Sequence, residues 1–224
     1  ANLLLLSRLP PREHQFVQTI CSSAESLLTI IDDVLNFSTL EHGQFSLHPE
    51  PTRLAEVMTS VVEILEPVAA EKGLALKLRI APSLPEAALV DASRLRQILN
   101  NLITNAIKFT REGRVDVIVR GSPLEDPEDS IEILVVDTGI GISGEQAERL
   151  FDPFHQVHGS YDRSQGGVGL GLAITRELVS LMGGSIDLRS EPGSGSQFKV
   201  TLPLARCEPP EDDAEQVEAA QTDE

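Results

Sequence analysis

The chain has 224 residues with 41% apolar and 4% aromatic content, enough to bury one full core and a smaller appendage. A formal net charge of −17 argues against a nucleic-acid partner, because the phosphate backbone requires a basic face. No apolar run reaches the roughly 18 residues that cross a bilayer, so we expect this part of the protein to make no membrane contact. Cys21 and Cys207 lie far apart without metal or redox spacing, which favours unpaired thiols in a reducing compartment.

Residues 12–42 predict one long helix. Apolar residues recur there in steps of three or four, as in a coiled coil: Phe16, Ile20, Ala24, Leu27, Ile31 and Val34. Pro10 and Pro11 interrupt any helix before it, so "ANLLLL" is expected to end a preceding helix. The chain begins with Ala1 rather than methionine, and we therefore expect a piece of a longer protein whose helical hairpin has one arm mostly missing.

A second helix is predicted after residue 53, with Gly73 as its stop. Its apolar face comprises Leu54, Val57, Val61, Leu65 and Val68, and Pro67 either kinks the helix or ends it early. The alternating segment "LALKLRI" (74–80) predicts a half-buried strand. Asp91 is then placed to cap a helix that runs through "ASRLRQILNNLITNAIKF".

The second half of the chain continues the α/β pattern. Strands are predicted at "RVDVIVRG" and "SIEILVVD", and Ser143 with Gln146 forms a capping box for a short helix ending near Phe151. Residues 152–168 predict a long loop, and residues 170–182 a helix closed by two glycines. "SIDLRS" and "SQFKVTLPL" predict a hairpin around "EPGSG". Beyond it, "CEPPEDDAEQVEAAQTDE" is acidic and lacks aromatic residues, which indicates a disordered linker or tail.

Asn101, Asn105 and Lys108 form the first of three clusters that carry chemistry. The two amides are four residues apart, so both leave one helix face, and Lys108 follows along it. An amide oxygen suits Mg²⁺, and a lysine offers a point charge for a phosphate. The alternative is a solvated polar helix face.

The second cluster is "DTGIGI" at 137–142. Asp137 ends a buried strand, where a carboxylate is costly unless donors meet it. Gly139 and Gly141 allow the backbone to approach a flat ligand closely. The alternative is a tight turn in which the aspartate is a local cap.

The third cluster, "GGVGLGLAI" at 166–174, places four glycines directly before a helix. Glycine N–H groups and the positive end of a helix form an anion cradle. A glycine run is weak evidence alone, and this one is no Walker loop because no Gly-Lys-Ser/Thr ends it.

In order, the string "RQILNNLITNAIKFT … VVDTGIGI … LFDPFHQV … GGVGLGLAI … PGSGSQF" closely resembles the catalytic and ATP-binding domain of sensor histidine kinases. It matches the family's asparagine box, first glycine box, phenylalanine box, second glycine box and last glycine turn. The resemblance runs from about Gln15 to Leu204, because "LLTIIDDVLNFSTLEHGQFSL" is similar to the second helix of the family's dimerisation and phosphoacceptor domain.

The resemblance implies an α/β (α+β) fold: a two-layer sandwich of a mixed β-sheet and α-helices at residues 49–205. A partial helical hairpin at 1–48 precedes it and would form a homodimeric four-helix bundle in the full-length protein. Residues 206–224 would be an acidic linker, which could lead to a receiver domain as in a hybrid kinase.

The implied function is autophosphorylation. Such a kinase binds Mg²⁺ and ATP, transfers the γ-phosphoryl to a histidine on the dimerisation helix, and passes it to an aspartate of a response-regulator receiver domain. The implied location is cytoplasmic, as part of a bacterial sensor that can be anchored in the inner membrane.

The resemblance also implies which residues read the base and the metal. Asp137 would accept the exocyclic amine of adenine, while Gly139 and Gly141 admit the ring. Asn105 would be the Mg²⁺ ligand. Beside the phosphates would lie two further side chains of the same helix, Asn101 and Lys108.

Residues 152–168 would form the ATP lid, with Phe154 hinging its start and Arg163 meeting the γ-phosphate or remaining a solvated charge. The second glycine box would contact the triphosphate through Gly167, Val168, Gly169, Leu170 and Gly171. Val168 departs from the family, in which many members carry threonine or serine at this position. With valine there is no hydroxyl to meet a phosphate, and only main-chain donors remain for it.

The main departure from the family concerns the phosphoryl acceptor. In the family this is a histidine followed directly by an acidic residue, which takes the proton of the histidine. Neither His14 nor any other histidine has that neighbour; the others are His42, His48, His155 and His158. His14 follows Glu13 at a helix start, on the arm where the family carries no acceptor. We therefore expect the acceptor upstream of Ala1 and no catalytic residue within the chain.

Two alternatives remain. The first is an ATPase on the same nucleotide-binding fold, which needs a glutamate on the asparagine-bearing helix to activate water. Residues 97–104, "QILNNLIT", contain no acid. The second is a docking module that keeps the fold and has lost nucleotide; Val168 favours it, whereas Asp137, Asn105 and Lys108 argue against it.

Overall fold

The computed structural model describes residues 10–41, 46–122, 129–155 and 169–210. A long helix precedes an α/β unit. The helices are α1 (Pro11–Glu41), α2 (Leu54–Glu71), α3 (Ala92–Phe109), α4 (Gly144–Arg149) and α5 (Gly171–Leu181). The strands are β1 (Glu50–Arg53), β2 (Ala75–Ile80), β3 (Ala87–Val90), β4 (Arg114–Gly121), β5 (Ser130–Asp137), β6 (Ser185–Glu191), β7 (Gly195–Pro203) and β8 (Ala205–Arg206).

The main sheet has five strands in the order β2-β4-β5-β7-β6. β2 pairs with β4 in parallel and the other neighbours are antiparallel, so the sheet is mixed. Helices α2, α3 and α5 pack on one face, where α3 contacts β4, β5 and both other helices. This arrangement confirms the predicted two-layer sandwich.

The core lies between these two layers. Strand alternation selects its residues in β4, where Val115, Val117 and Val119 are fully buried whereas Ile118 is half-buried on the other face. β4 and β5 have the bounds that the sequence predicts. The acidic turn between them lies mostly outside the described residues.

Helix α2 passes through Pro67 and ends at Glu71, followed by Lys72 as its C-cap and by Gly73 with a φ of 73°. Gly73 is therefore confirmed as the stop, and Pro67 on the exposed face does not end the helix early. The assignment of Val68 to the same face as Leu54, Val57, Val61 and Leu65 is wrong, since Val68 is 46% exposed and Ala69 takes the inward position at 1%. In the turn into β2, the Leu74 amide donates to the Ala69 carbonyl, so this side of the helix faces the core.

A second sheet, of the order β1-β3-β8, was not predicted. Its strands have four, four and two residues, too short for alternation to be visible in the sequence. β8 includes Arg206, which the sequence assigned to the tail, and the Cys207 amide donates to the Ala87 carbonyl. The domain limits at residues 48 and 205 remain predictions, although the described residues continue to Pro210.

Helix α1 confirms the predicted long helix and contacts α5. The predicted stripe is solvent-exposed: Phe16 by 55%, Ile20 by 60%, Leu27 by 57%, Ile31 by 45% and Val34 by 44%. "ANLLLL" lies outside the described residues. Within the described ranges, no helix combines the length and apolar character needed to span a membrane.

Candidate functional site

Asp137 closes β5 in the middle of the sheet, opposite Val115 of β4 and Ser196 of β7. Its side chain is 6% exposed, and Oδ1 accepts hydrogen bonds from the Gly139 amide at 2.8 Å and the Ser196 amide at 3.3 Å. Burial raises the pKa of Asp137, and these donors oppose that rise by stabilising the charge. The structure thus holds a buried carboxyl group whose orientation main-chain donors fix.

The loop after Asp137 lies between two backbone segments. A Cβ on Gly139 would lie 2.5 Å from the Phe109 carbonyl oxygen of α3. Gly141 has a φ of 67°, and a Cβ there would lie 1.9 Å from the Glu191 carbonyl oxygen at the end of β6. Both glycines are therefore required by the packing of the loop itself, and the aspartate caps the turn as the structural alternative predicted.

Two serines that sequence reasoning missed support this loop. The Ser190 hydroxyl accepts from the Ile142 amide at 2.8 Å, and its oxygen lies 3.0 Å from the Ser196 hydroxyl oxygen. Gly195, between them, has a φ of 91°, and a Cβ there would lie 2.0 Å from the Asp137 carbonyl oxygen. These residues are more than 50 positions from Asp137, and only the pairing of β5 with β7 could have revealed them.

The polar face of α3 divides its two asparagines between two environments. Asn101 donates from Nδ2 to the Gly171 carbonyl at 3.2 Å and to the Thr175 hydroxyl at 3.3 Å, and so ties α3 to the first turn of α5. Asn105 is half-buried one turn further on, and no described residue hydrogen-bonds to its amide. Its oxygen and nitrogen are available to a ligand as far as the described part of the chain shows.

Lys108 is a half-buried cation near the end of α3. No carboxylate of the described residues pairs with it, and its ammonium lies 5.1 Å from the centroid of the Phe109 ring. Burial, and secondarily repulsion by Lys72, lowers the pKa of Lys108. The Lys72 ammonium donates to the carbonyls of Ile107 at 3.1 Å and Lys108 at 3.3 Å, so two cations meet at this end of the helix. Two neighbouring positive charges at a helix end favour the binding of an anion there.

The first turn of α5 also favours an anion. Leu170 provides no side-chain cap, and the turn contains no acidic residue, so its N–H groups are left to other acceptors. Leu170 as a whole is 1% exposed, so its side chain packs in the core and is not available to a ligand.

The ends of the predicted lid meet in front of this turn. The Phe154 amide donates to the Gly169 carbonyl at 3.2 Å, and Phe154 has a φ of 62° with a 61% exposed side chain. Gly169 has a φ of 78°, and a Cβ there would approach the His155 carbonyl oxygen to 2.7 Å. Three predicted site residues lie outside the described residues: Arg163, Gly167 and Val168.

Three elements therefore converge: α3 contacts both β5 and α5, and the loop after Asp137 packs on the last residue of α3. The site combines a buried hydrogen-bond acceptor, a cationic helix end and the first turn of α5, to which Leu170 gives no side-chain cap. Asn105 fits a Mg²⁺ ion, because its hard, neutral oxygen has no described partner and Mg²⁺ is held by few protein ligands together with phosphates. No group of three or more His, Cys, Asp or Glu that could hold a metal lies within the described ranges.

Residues 90–206 match the family described as "Histidine kinase-, DNA gyrase B-, and HSP90-like ATPase". The match covers more than half of the chain and includes α3, the loop after β5 and α5, so the chain belongs to this family.

Within it, the chain is similar to sensor histidine kinases. It is 43% identical over 197 residues to "Signal transduction histidine-protein kinase BarA" of Escherichia coli K12, covering 88% of the chain and 22% of the relative. It is 42% identical over 216 residues to "Sensor histidine kinase GacS" of Pseudomonas protegens, covering 96% and 23%.

Among solved structures, full-length ShkA in complex with AMPPNP matches with a TM-score of 0.76 and 32% identity, over 92% of this chain and 42% of that one. These matches confirm the predicted recognition and fold class. The chain spans less than a quarter of the length of either curated relative.

Proposed function

We propose that this chain is the nucleotide-binding and catalytic part of a sensor histidine kinase and that it binds ATP with Mg²⁺. The observation that carries the proposal is the polar face of α3. The side chains of Asn105 and Lys108 are half-buried there without a described hydrogen-bonding or anionic partner, on the helix whose Asn101 contacts the start of α5. Polar side chains that no protein group satisfies keep their full hydrogen-bonding capacity for a ligand that displaces water from them.

Each part of the site then has one role. Asp137 accepts the exocyclic amine of adenine, since its ionised carboxyl group offers acceptors only. Lys108 and the first turn of α5 bind phosphate oxygens, and Asn101 holds α3 and α5 together at that place. A bound Mg²⁺ would neutralise phosphate charge during transfer, with Asn105 as its protein ligand.

The chemical step would then depend mainly on positioning and charge neutralisation. The γ-phosphoryl would pass to a histidine on the dimerisation helix of the whole protein and then to an aspartate of a response-regulator receiver domain. The exposed stripe of α1 supports homodimerisation of that whole protein. The kinase would act in the cytoplasm.

Hydrolysis of ATP by a base on the same helix is not favoured by the sequence of α3. From Ala92 to Phe109 that helix contains no aspartate or glutamate. Slow or absent steady turnover of ATP is therefore expected, and vigorous turnover would point to the ATPase alternative instead.

Thermal denaturation tests the binding step. With Mg²⁺ present and ATP at 100 times its dissociation constant, ligand linkage raises the free energy of unfolding by about 2.7 kcal/mol. We expect such a shift with ATP and a smaller one with GTP at the same concentration. No shift with ATP over a wide concentration range would favour the docking-module alternative.

Incubation with γ-labelled ATP tests the transfer step. We expect no acid-labile label on this chain, because none of its five histidines precedes an acidic residue. Acid-labile label that survives neutral washing would contradict this expectation and identify an acceptor within the chain.

A further inference from the structure

The loop 138–142 and the β6–β7 hairpin each donate one main-chain hydrogen bond to the same carboxyl oxygen. The Gly139 amide of the loop and the Ser196 amide of the hairpin both reach Oδ1 of Asp137. Because these two segments are distant in sequence, the angle of the carboxyl group depends on how they are held relative to each other.

Ser190 bridges the two segments. Its hydroxyl oxygen accepts from the Ile142 amide of the loop at 2.8 Å, and it lies 2.9 Å from the Gly195 carbonyl oxygen and 3.0 Å from the Ser196 hydroxyl oxygen of the hairpin. Ser190 is half-buried and does not itself contact Asp137 by a hydrogen bond within the described residues.

A hydroxyl group donates one hydrogen bond and accepts two. Ser190 can therefore satisfy all three neighbours at once: it donates to the Gly195 carbonyl and accepts from the Ile142 amide and the Ser196 hydroxyl. If the Ser196 hydroxyl instead donates to Asp137, whose carboxyl group it also contacts, Ser190 still accepts from Ile142 and donates to the hairpin. In both arrangements Ser190 joins the loop to the hairpin.

We propose that Ser190 is a positioning residue for base recognition, which keeps the Asp137 carboxyl group oriented so that the site selects a purine with a 6-amino group. This inference rests on the proposed function. An ionised carboxyl group accepts from the 6-amino group of adenine and repels the 6-keto oxygen of hypoxanthine. A protonated or displaced carboxyl group loses that distinction.

The test compares Mg·ATP with Mg·ITP, which differ at position 6 of the base, by calorimetric titration. For Ser190→Ala we expect the affinity for ATP to fall about fivefold, the effect of one hydrogen bond, while the affinity for ITP changes by less than about twofold. Ser190→Thr keeps the hydroxyl and is expected to retain the wild-type ratio of affinities. Ser194→Ala, at an exposed serine of the same hairpin, is the matched control and should change neither affinity.

A purely structural role would lower both affinities equally, and that result would overturn the inference. Should the alanine variant fail to fold, Ser190→Cys preserves the side-chain size with a weak donor and is expected to give the same decrease in the ratio of ATP to ITP affinity.

Asp137→Asn distinguishes a failure of the proposed base recognition from a failure of the role of Ser190. If the wild type does not prefer ATP, or this variant keeps the preference, the base-reading part of the proposed function is wrong. If this variant loses the preference and Ser190→Ala keeps it, only the role of Ser190 is wrong.

Discussion

Asp137 shows at the scale of a residue how a proposed binding group and a stable fold conflict. The carboxyl group is buried in the middle of the sheet, where no described cation pairs with it, and only hydrogen bonds compensate for its desolvation. The sequence predicted the burial of this carboxyl group and its need for donors correctly, because an aspartate directly after the buried run "IEILVV" is unusual. It could not predict the donor from Ser196, which depends on strand register.

The raised pKa of Asp137 makes stability depend on pH. Between the unfolded value, about 3.9, and the higher folded value, the native state binds more protons than the unfolded chain, so this group's contribution to stability falls as pH rises. Asp137→Asn keeps an acceptor for the Gly139 amide and removes the ionisation. We expect the stability of the asparagine variant, relative to wild type, to be higher at pH 7 than at pH 4, measured by urea denaturation without nucleotide. A relative stability that stays constant or falls with pH would contradict the assigned direction.

Gly141 and Gly144 lie three residues apart and make a matched pair of alanine substitutions. At Gly141 the left-handed backbone and the Glu191 carbonyl both exclude a side chain, whereas Gly144 opens α4 with open space around it. We expect Gly141→Ala to lower the free energy of unfolding by at least about 2 kcal/mol. Gly144→Ala should be neutral or slightly stabilising in a helix. Equal effects in chemical denaturation would show that the loop does not pack as described.

At the scale of elements, the sequence predicted best where a local signal coincides with burial. Asp91 fixes the start of α3 by accepting from the Arg94 amide at 3.1 Å, and the alternation of β4 and β5 reproduces their bounds. Although burial alone would raise the pKa of Asp91, hydrogen bonds from His48, Ser93 and Arg94 hold it below its usual value. The small sheet escaped prediction because its strands are defined by pairing, with Ala88 opposite both Thr52 and Arg206.

Lys72 lies outside the motifs but adds a positive charge beside the proposed site. From the turn after α2 it donates to the C-terminal carbonyls of α3. A cation at a helix C-terminus stabilises the helix by about 0.3–1 kcal/mol. We expect Lys72→Gln to destabilise the protein by about that amount and to weaken ATP binding, most clearly at low salt, because one cation near the phosphates is lost. Lys77→Gln, exposed on β2, is the control. Equal affinities for the two variants at low salt would exclude an electrostatic role of Lys72 in the site.

At the scale of the whole molecule, α1 carries an apolar surface that the rest of the described chain leaves exposed. Its stripe predicts association with further helices, and the proposed bundle of the longer protein would account for it. We expect the chain to associate with itself at high concentration, and Ile20→Glu with Leu27→Glu to reduce that association. Sedimentation equilibrium measures it, with Gln18→Glu, an exposed polar position on α1, as the control. A mass that stays monomeric at every concentration would contradict the prediction.

In the proposed function, α3, the loop after β5 and the start of α5 act together as one site for ATP and Mg²⁺. Isothermal titration calorimetry of Mg·ATP tests this most directly, with wild type, Asp137→Ala, Asn105→Ala and the exposed neighbour Asn100→Ala. We expect Asp137→Ala and Asn105→Ala each to lose at least about tenfold in affinity, because each removes a hydrogen bond or a metal ligand, while Asn100→Ala binds as wild type does. An Asp137→Ala, Asn105→Ala double variant with unchanged affinity would contradict the proposed site.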